Sequence, residues 1–90
     1  TVSPLKVYPK INVIELVIKK QQLSMGDKLI LHRHQYPQFI EANIIGIQIK
    51  DNDTGEIIDK ENIDVTDDEY HLISIKVNTE VKDRYKLKFI

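Results

Sequence analysis

Ninety residues make one domain with a core just large enough to fold alone, and the 41% hydrophobic fraction is ordinary. Thirteen basic against fourteen acidic residues leave a net charge of -1, without the basic excess that phosphate backbones select, which argues against a nucleic-acid binder. Cysteine is absent, which removes disulfides, thiolate chemistry and Cys-held zinc, and no apolar run nears the roughly 18 residues of a membrane span. Fifteen Ile and seven Val stand against one Ala. Side chains branched at Cβ are stiff at χ1 and pack well on a pleated surface, so this make-up favours sheet over helix. The chain opens at Thr1 without a charged and then apolar leader, as one domain of a longer protein would.

In chain order, residues 1–10, "TVSPLKVYPK", carry Pro4 and Pro9 and predict a linker or an edge strand, since proline cannot donate to a central ladder. "INVIELVIKK" puts Ile14, Leu16 and Ile18 on one face and Val13, Glu15 and Val17 on the other. It predicts a strand, because β-branched residues fill both faces and no cap opens a helix. Gly26-Asp27 predicts a turn, followed by a strand with Leu29, Leu31 and Arg33 on one side and Ile30, His32 and His34 on the other. "QYPQFIEAN" predicts a loop, extended before Pro37. "IIGIQIK" predicts a strand with Ile45, Ile47 and Ile49 inward, and "DNDTGE" a hairpin turn that returns through Ile57 and Ile58. "NIDVT" adds a short strand with Ile63 and Val65 inward. "YHLISIKV" places His71, Ile73, Ile75 and Val77 opposite Tyr70, Leu72, Ser74 and Lys76. "RYKLKFI" closes with Tyr85, Leu87 and Phe89 inward. About seven short antiparallel strands at even spacing predict a single all-β domain over residues 1–90, a sandwich or a small barrel.

Charge is segregated along the chain. Nine of the fourteen acids lie between Asp51 and Glu69, with Lys60 as the one base among them. Lys82, Arg84, Lys86 and Lys88 follow at period two on the predicted outward face of the last strand. Such a stripe is a solvated face that discourages edge aggregation, or a docking surface for an acidic partner. It lacks interleaved aromatics for base stacking, which again argues against nucleic acid. The opposite patches allow weak self-association, head to tail. Tyr8, Tyr36, Phe39 and Tyr70 are too few for a carbohydrate platform.

The enzyme motifs are missing. There is no P-loop, GxGxxG, GxSxG or HExxH. Asp67 and Asp68 sit in a predicted turn. "DNDTG" begins like a calcium loop, but its residue types are those of a hairpin turn. The expectation is a non-catalytic chain without a cofactor.

Two stretches resemble known families. Gly26, His32, His34, Gln38 or Glu41, and Gly46 resemble the first motif of the cupin barrels: glycine, five residues, His-x-His, a carboxylate or amide, and a closing glycine. That resemblance implies a metal held by His32, His34 and Gln38 or Glu41, with His71 as a further ligand. The second cupin motif has no match, since no proline follows Pro37 and no glycine follows Gly55. "ISIKVNTEVKDRYKLKFI" resembles the end of an immunoglobulin-like sandwich. It implies Tyr85, after Asp83, as a corner tyrosine whose hydroxyl bonds upstream backbone, with Leu87 where antibody domains carry a cysteine. "IGIQIKDNDTGEII" resembles the central hairpin of bacterial and phage immunoglobulin-like modules.

The expectation is therefore an immunoglobulin-like β-sandwich of about seven strands. It would be a structural or protein-interaction module of a larger surface, secreted or virion protein, binding a protein partner or neighbouring domains through Lys82, Arg84, Lys86 and Lys88. The alternative is a small cupin-like β-barrel that binds a metal or a small molecule.

Overall fold

The computed structural model describes residues 3–51, 53–66, 70–82 and 84–89. Among these the chain is all-β, without a helix, and every strand pairing is antiparallel. The strands are β1 (Lys6–Tyr8), β2 (Val13–Ile18), β3 (Gln22–Ser24), β4 (Lys28–His32), β5 (Phe39–Lys50), β6 (Ile57–Lys60), β7 (Asn62–Asp64), β8 (His71–Val77) and β9 (Lys86–Phe89). Seven of them form one curled sheet in the order β1-β2-β8-β5-β4-β9, with β6 added on β5, while β3 and β7 form a separate two-stranded ribbon.

Period-two burial explains most of these elements. β2 buries Ile14, Leu16 and Ile18 and leaves Val13, Glu15 and Val17 half-exposed, so it is a strand and not a short helix. β4 buries Leu29 and Leu31, β8 buries Ile73, Ile75 and Val77, and β9 buries Leu87. These side chains meet in one cluster that also takes Leu23 from β3, Val65 after β7, and Val81 and Tyr85 before β9. Lys6–Tyr8 form the edge strand β1, paired only with β2.

β5 joins the two wings of the sheet. Its first part pairs with β4, from Phe39 opposite His32 to Asn43 opposite Lys28. Its second part pairs with β8 on one side and with β6 on the other. Between them the ladder slips: Ile44 faces Val77 and Gly46 faces Lys76, so Ile45 is an extra residue. The bulge reverses side-chain parity. Ala42 and Ile44 point inward before it and Ile47 after it, while Ile45 stands 45% exposed. The expectation that Ile45 lies inward with Ile47 and Ile49 is thereby corrected.

Two further expectations change. β5 begins at Phe39, so part of "QYPQFIEAN" is strand and only residues 33–38 are loop. β3 had not been expected; it exists because Leu23 reaches the core beside its partner Ile63. The two turns form as anticipated. At Gly26 (φ 88) the Asp27 carboxylate accepts the Ser24 N–H at 2.8 Å, and the Asp27 N–H returns to the Ser24 carbonyl at 3.0 Å. At Gly55 (φ 75) the Asp51 carboxylate accepts the Asp53 N–H at 2.8 Å, and the Gly55 N–H donates to the Asp51 carbonyl at 2.8 Å.

Candidate functional site

The predicted basic stripe is exposed throughout, but it is not one strand. β9 begins at Lys86, so Lys86 and Lys88 alternate outward from the ladder. Lys82 and Arg84 lie in the preceding connection, where the Tyr85 N–H reaches the Lys82 carbonyl at 3.4 Å and Arg84 takes φ 73. β9 pairs only with β4 and forms one end of the sheet, so these four cations lie on or beside an unpaired edge, with Pro4, Leu5 and Val7 across a hollow of about 360 Å³ from Arg84 and Lys86.

Across the outer face of this wing the residues fall into rows. Lys86, His32 and Phe39 form one row; Lys88, Ile30 and Glu41 form the next. His32 stacks on Phe39 with ring centroids 4.8 Å apart and 12° between planes, and Phe39 stays 64% exposed. Ile30, His32, Phe39 and Lys88 surround an open hollow of about 470 Å³. An aromatic pair therefore does stand beside the lysines, contrary to the reading of a stripe without aromatics. Register makes this neighbourhood, and register is not visible in the spacing of one segment.

The three histidines named by the cupin resemblance lie on different elements. β4 ends at His32, so His34 belongs to the loop, and the two rings lie 6.4 Å apart. Gln38 is in that loop too. Glu41 is on the outer face, where its carboxylate meets the Lys28 ammonium at 3.2 Å. His71 begins β8, on the side of that strand that carries Ile73, and pairs with Ile18 in the other wing. Among the described residues no three His, Cys, Asp or Glu side chains come together as metal ligands.

Tyr85 is buried, as expected, with its hydroxyl anchored differently. It accepts a hydrogen bond from the Arg33 guanidinium at 3.2 Å, and the same group donates to the Pro37 carbonyl at 2.6 Å. The partner is thus a distant side chain, not upstream backbone, and it ties the 33–38 loop to the start of β9. Asp83 of the corner motif and the Asp67–Asp68 pair lie outside the described residues.

The acidic counterpart surrounds β6 and β7. Asp53, Glu56, Asp59, Glu61 and Asp64 are all exposed, and Asp59 accepts from the Gln48 amide at 2.8 Å. The Asp51 carboxylate is occupied by backbone N–H groups of its own turn. Of the candidate sugar platforms, Tyr36 is 94% exposed in the 33–38 loop, whereas Tyr70 precedes β8 with the Lys19 ammonium 5.1 Å from its ring centre. Compared with protein-family models, with curated proteins and with solved structures, the chain shows no significant match.

Proposed function

We propose that this chain is a non-catalytic protein-interaction module, an immunoglobulin-like sandwich within a larger surface, secreted or virion protein, that docks an acidic partner along β9. The observation that carries the reading is the unpaired β9 edge with Lys82, Arg84, Lys86 and Lys88 all exposed on or beside it. An edge strand offers unpaired backbone N–H and C=O groups to an incoming strand, and alternate side chains then select its charge. Two wings joined through a bulged strand, over one shared core, support the sandwich assignment.

Backbone amide shifts during titration with poly-glutamate test it. Residues 84–89 should move, and the movement should disappear in Lys86→Glu/Lys88→Glu. Shifts scattered over all surface lysines, equal in the variant, would sink the reading.

A further inference from the structure

We infer that the hollow between the 33–38 loop and the connection into β9 is a site for a phosphate or sulfate ester with an apolar body. The site goes beyond the docking proposed for β9, because it takes a small anionic group between two loops and needs no incoming strand.

The walls carry the chemistry. Arg33, His34 and Gln35 from the loop and Lys82, Arg84 and Tyr85 from the connection surround an open hollow of about 240 Å³. Each of these side chains has an N–H or O–H to donate. No carboxylate among the described residues lines the hollow. Arg33, Lys82 and Arg84 repel one another there, and an anion between them relieves that repulsion.

The hollow is built, not a chance gathering of exposed lysines. Arg33 is half-buried. Its Nε–H donates to the Pro37 carbonyl at 2.6 Å and its Nη1–H to the Tyr85 hydroxyl at 3.2 Å. These bonds fix the plane of the guanidinium, and its fork has further N–H groups for an oxyanion. Tyr85 is itself buried, so the anchor belongs to the core. On the facing wall the Tyr85 N–H closes a turn on the Lys82 carbonyl at 3.4 Å, with Arg84 at φ 73. Residues other than glycine rarely take that backbone region, and such positions gather at ligand sites.

Shape selects the ligand. Donors stand on both walls, so an anion whose acceptor oxygens point several ways fits better than a planar carboxylate. A second hollow of about 360 Å³ shares His34, Arg84 and Tyr85 and runs on to Pro4, Leu5, Val7 and Lys86. Leu5 is 62% exposed there. An oxyanion head held by Arg33, Lys82 and Arg84 therefore has apolar surface beside it for the group to which it is esterified.

Amide-shift titration of the whole chain with phenyl phosphate, phenyl sulfate, inorganic sulfate and benzoate, at one ionic strength, tests it. Either ester should saturate shifts at residues 33–35, 82, 84 and 85, and the tighter of the two names the head group. Inorganic sulfate should bind the same residues more weakly, and benzoate more weakly still. Arg84→Gln should weaken the tighter ester about tenfold, the scale of one charge-assisted hydrogen bond. Leu5→Ala should weaken both esters and leave inorganic sulfate unchanged. Lys60→Gln, which removes a charge on β6, should change nothing. Shifts that do not saturate, that scatter over all exposed lysines, or that persist undiminished in Arg84→Gln overturn the site. So does ester binding seen only in Asp83→Asn, because the chain's own carboxylate would then fill the hollow. Benzoate or inorganic sulfate binding as tightly as both esters overturns the ligand class. If the esters fail while poly-glutamate still moves residues 84–89, this site alone falls and the docking of β9 stands.

Discussion

The two stretches of β5 belong to one strand and behave differently. From Phe39 to Asn43 the strand pairs with β4, and its outward side chains join an aromatic and charged surface. From Gly46 to Lys50 it lies between β8 and β6, with Gly46 leaving an open hollow of about 390 Å³ beside Ile11, Val13 and Lys76. One extra residue, Ile45, separates them and decides which side of each stretch is core. A single insertion of backbone thus does what several substitutions of side chain would otherwise be needed to do.

The largest expected effect tests that residue directly. Ile44 is 1% exposed and Ile45 45% exposed, although they are chemically identical neighbours. Ile44→Ala should cost about 2–5 kcal/mol in urea unfolding and Ile45→Ala under about 0.5 kcal/mol. The reverse ranking would put the parity change somewhere else. Next comes Gly46, where an added Cβ would sit 3.3 Å from the Lys76 Cβ. Opposed Cβ atoms normally stand about 4.5–5.5 Å apart, so Gly46→Ala should cost about 1–3 kcal/mol as β8 is pushed away. An unchanged midpoint would mean that the two strands separate freely there.

A smaller effect sharpens the other side of the comparison. Tyr85→Phe removes the hydroxyl that Arg33 holds and should cost about 1 kcal/mol, whereas exposed Tyr70→Phe should cost about 0.5 kcal/mol or less. A double-mutant cycle with Arg33→Ala should show the two losses to be coupled; strict additivity would detach the loop from Tyr85. The smallest effect is at the histidines. His32→Ala with His34→Ala should change stability by under about 1 kcal/mol, and added Zn²⁺ should leave the melting temperature in place. A zinc-dependent rise that vanishes in the double variant would restore the metal-binding alternative.

How much of this was legible in advance depended on how long a pattern ran unbroken. β2, β4, β8 and β9 each keep strict alternation with one buried face, and the faces that carry Leu16, Leu31, Ile75 and Leu87 were grouped from it. The bulge was not legible, because "IIGIQIK" is apolar at both Ile44 and Ile45 and composition cannot say which points inward. Phe39–Asn43 escaped because "FIEAN" has one β-branched residue, and it becomes a strand by pairing with β4. Leu23 in β3 escaped because a three-residue strand is too short to show a period. The cations of the β9 edge were visible by spacing, but the row Lys86–His32–Phe39 draws on three strands and needs the fold to exist.

The clasp on Asn43 has a consequence for how the molecule comes apart. Its N–H donates to the Asn78 side chain at 2.8 Å, its amide donates to the Gly26 carbonyl at 3.1 Å, and its carbonyl accepts the Asn78 N–H at 3.1 Å. Beside it the Ile44 N–H and carbonyl bond Asp27 and Gly26 at 2.9 and 2.8 Å. Backbone groups at the corner that a bulge would leave open are thus spoken for, by segments from both wings. Melting of one wing alone would therefore break this corner: freeing β4 uncovers it, and freeing β8 takes Asn78 with it. Loss of structure should be all-or-none, with one transition for every probe, even though the sheet has two wings.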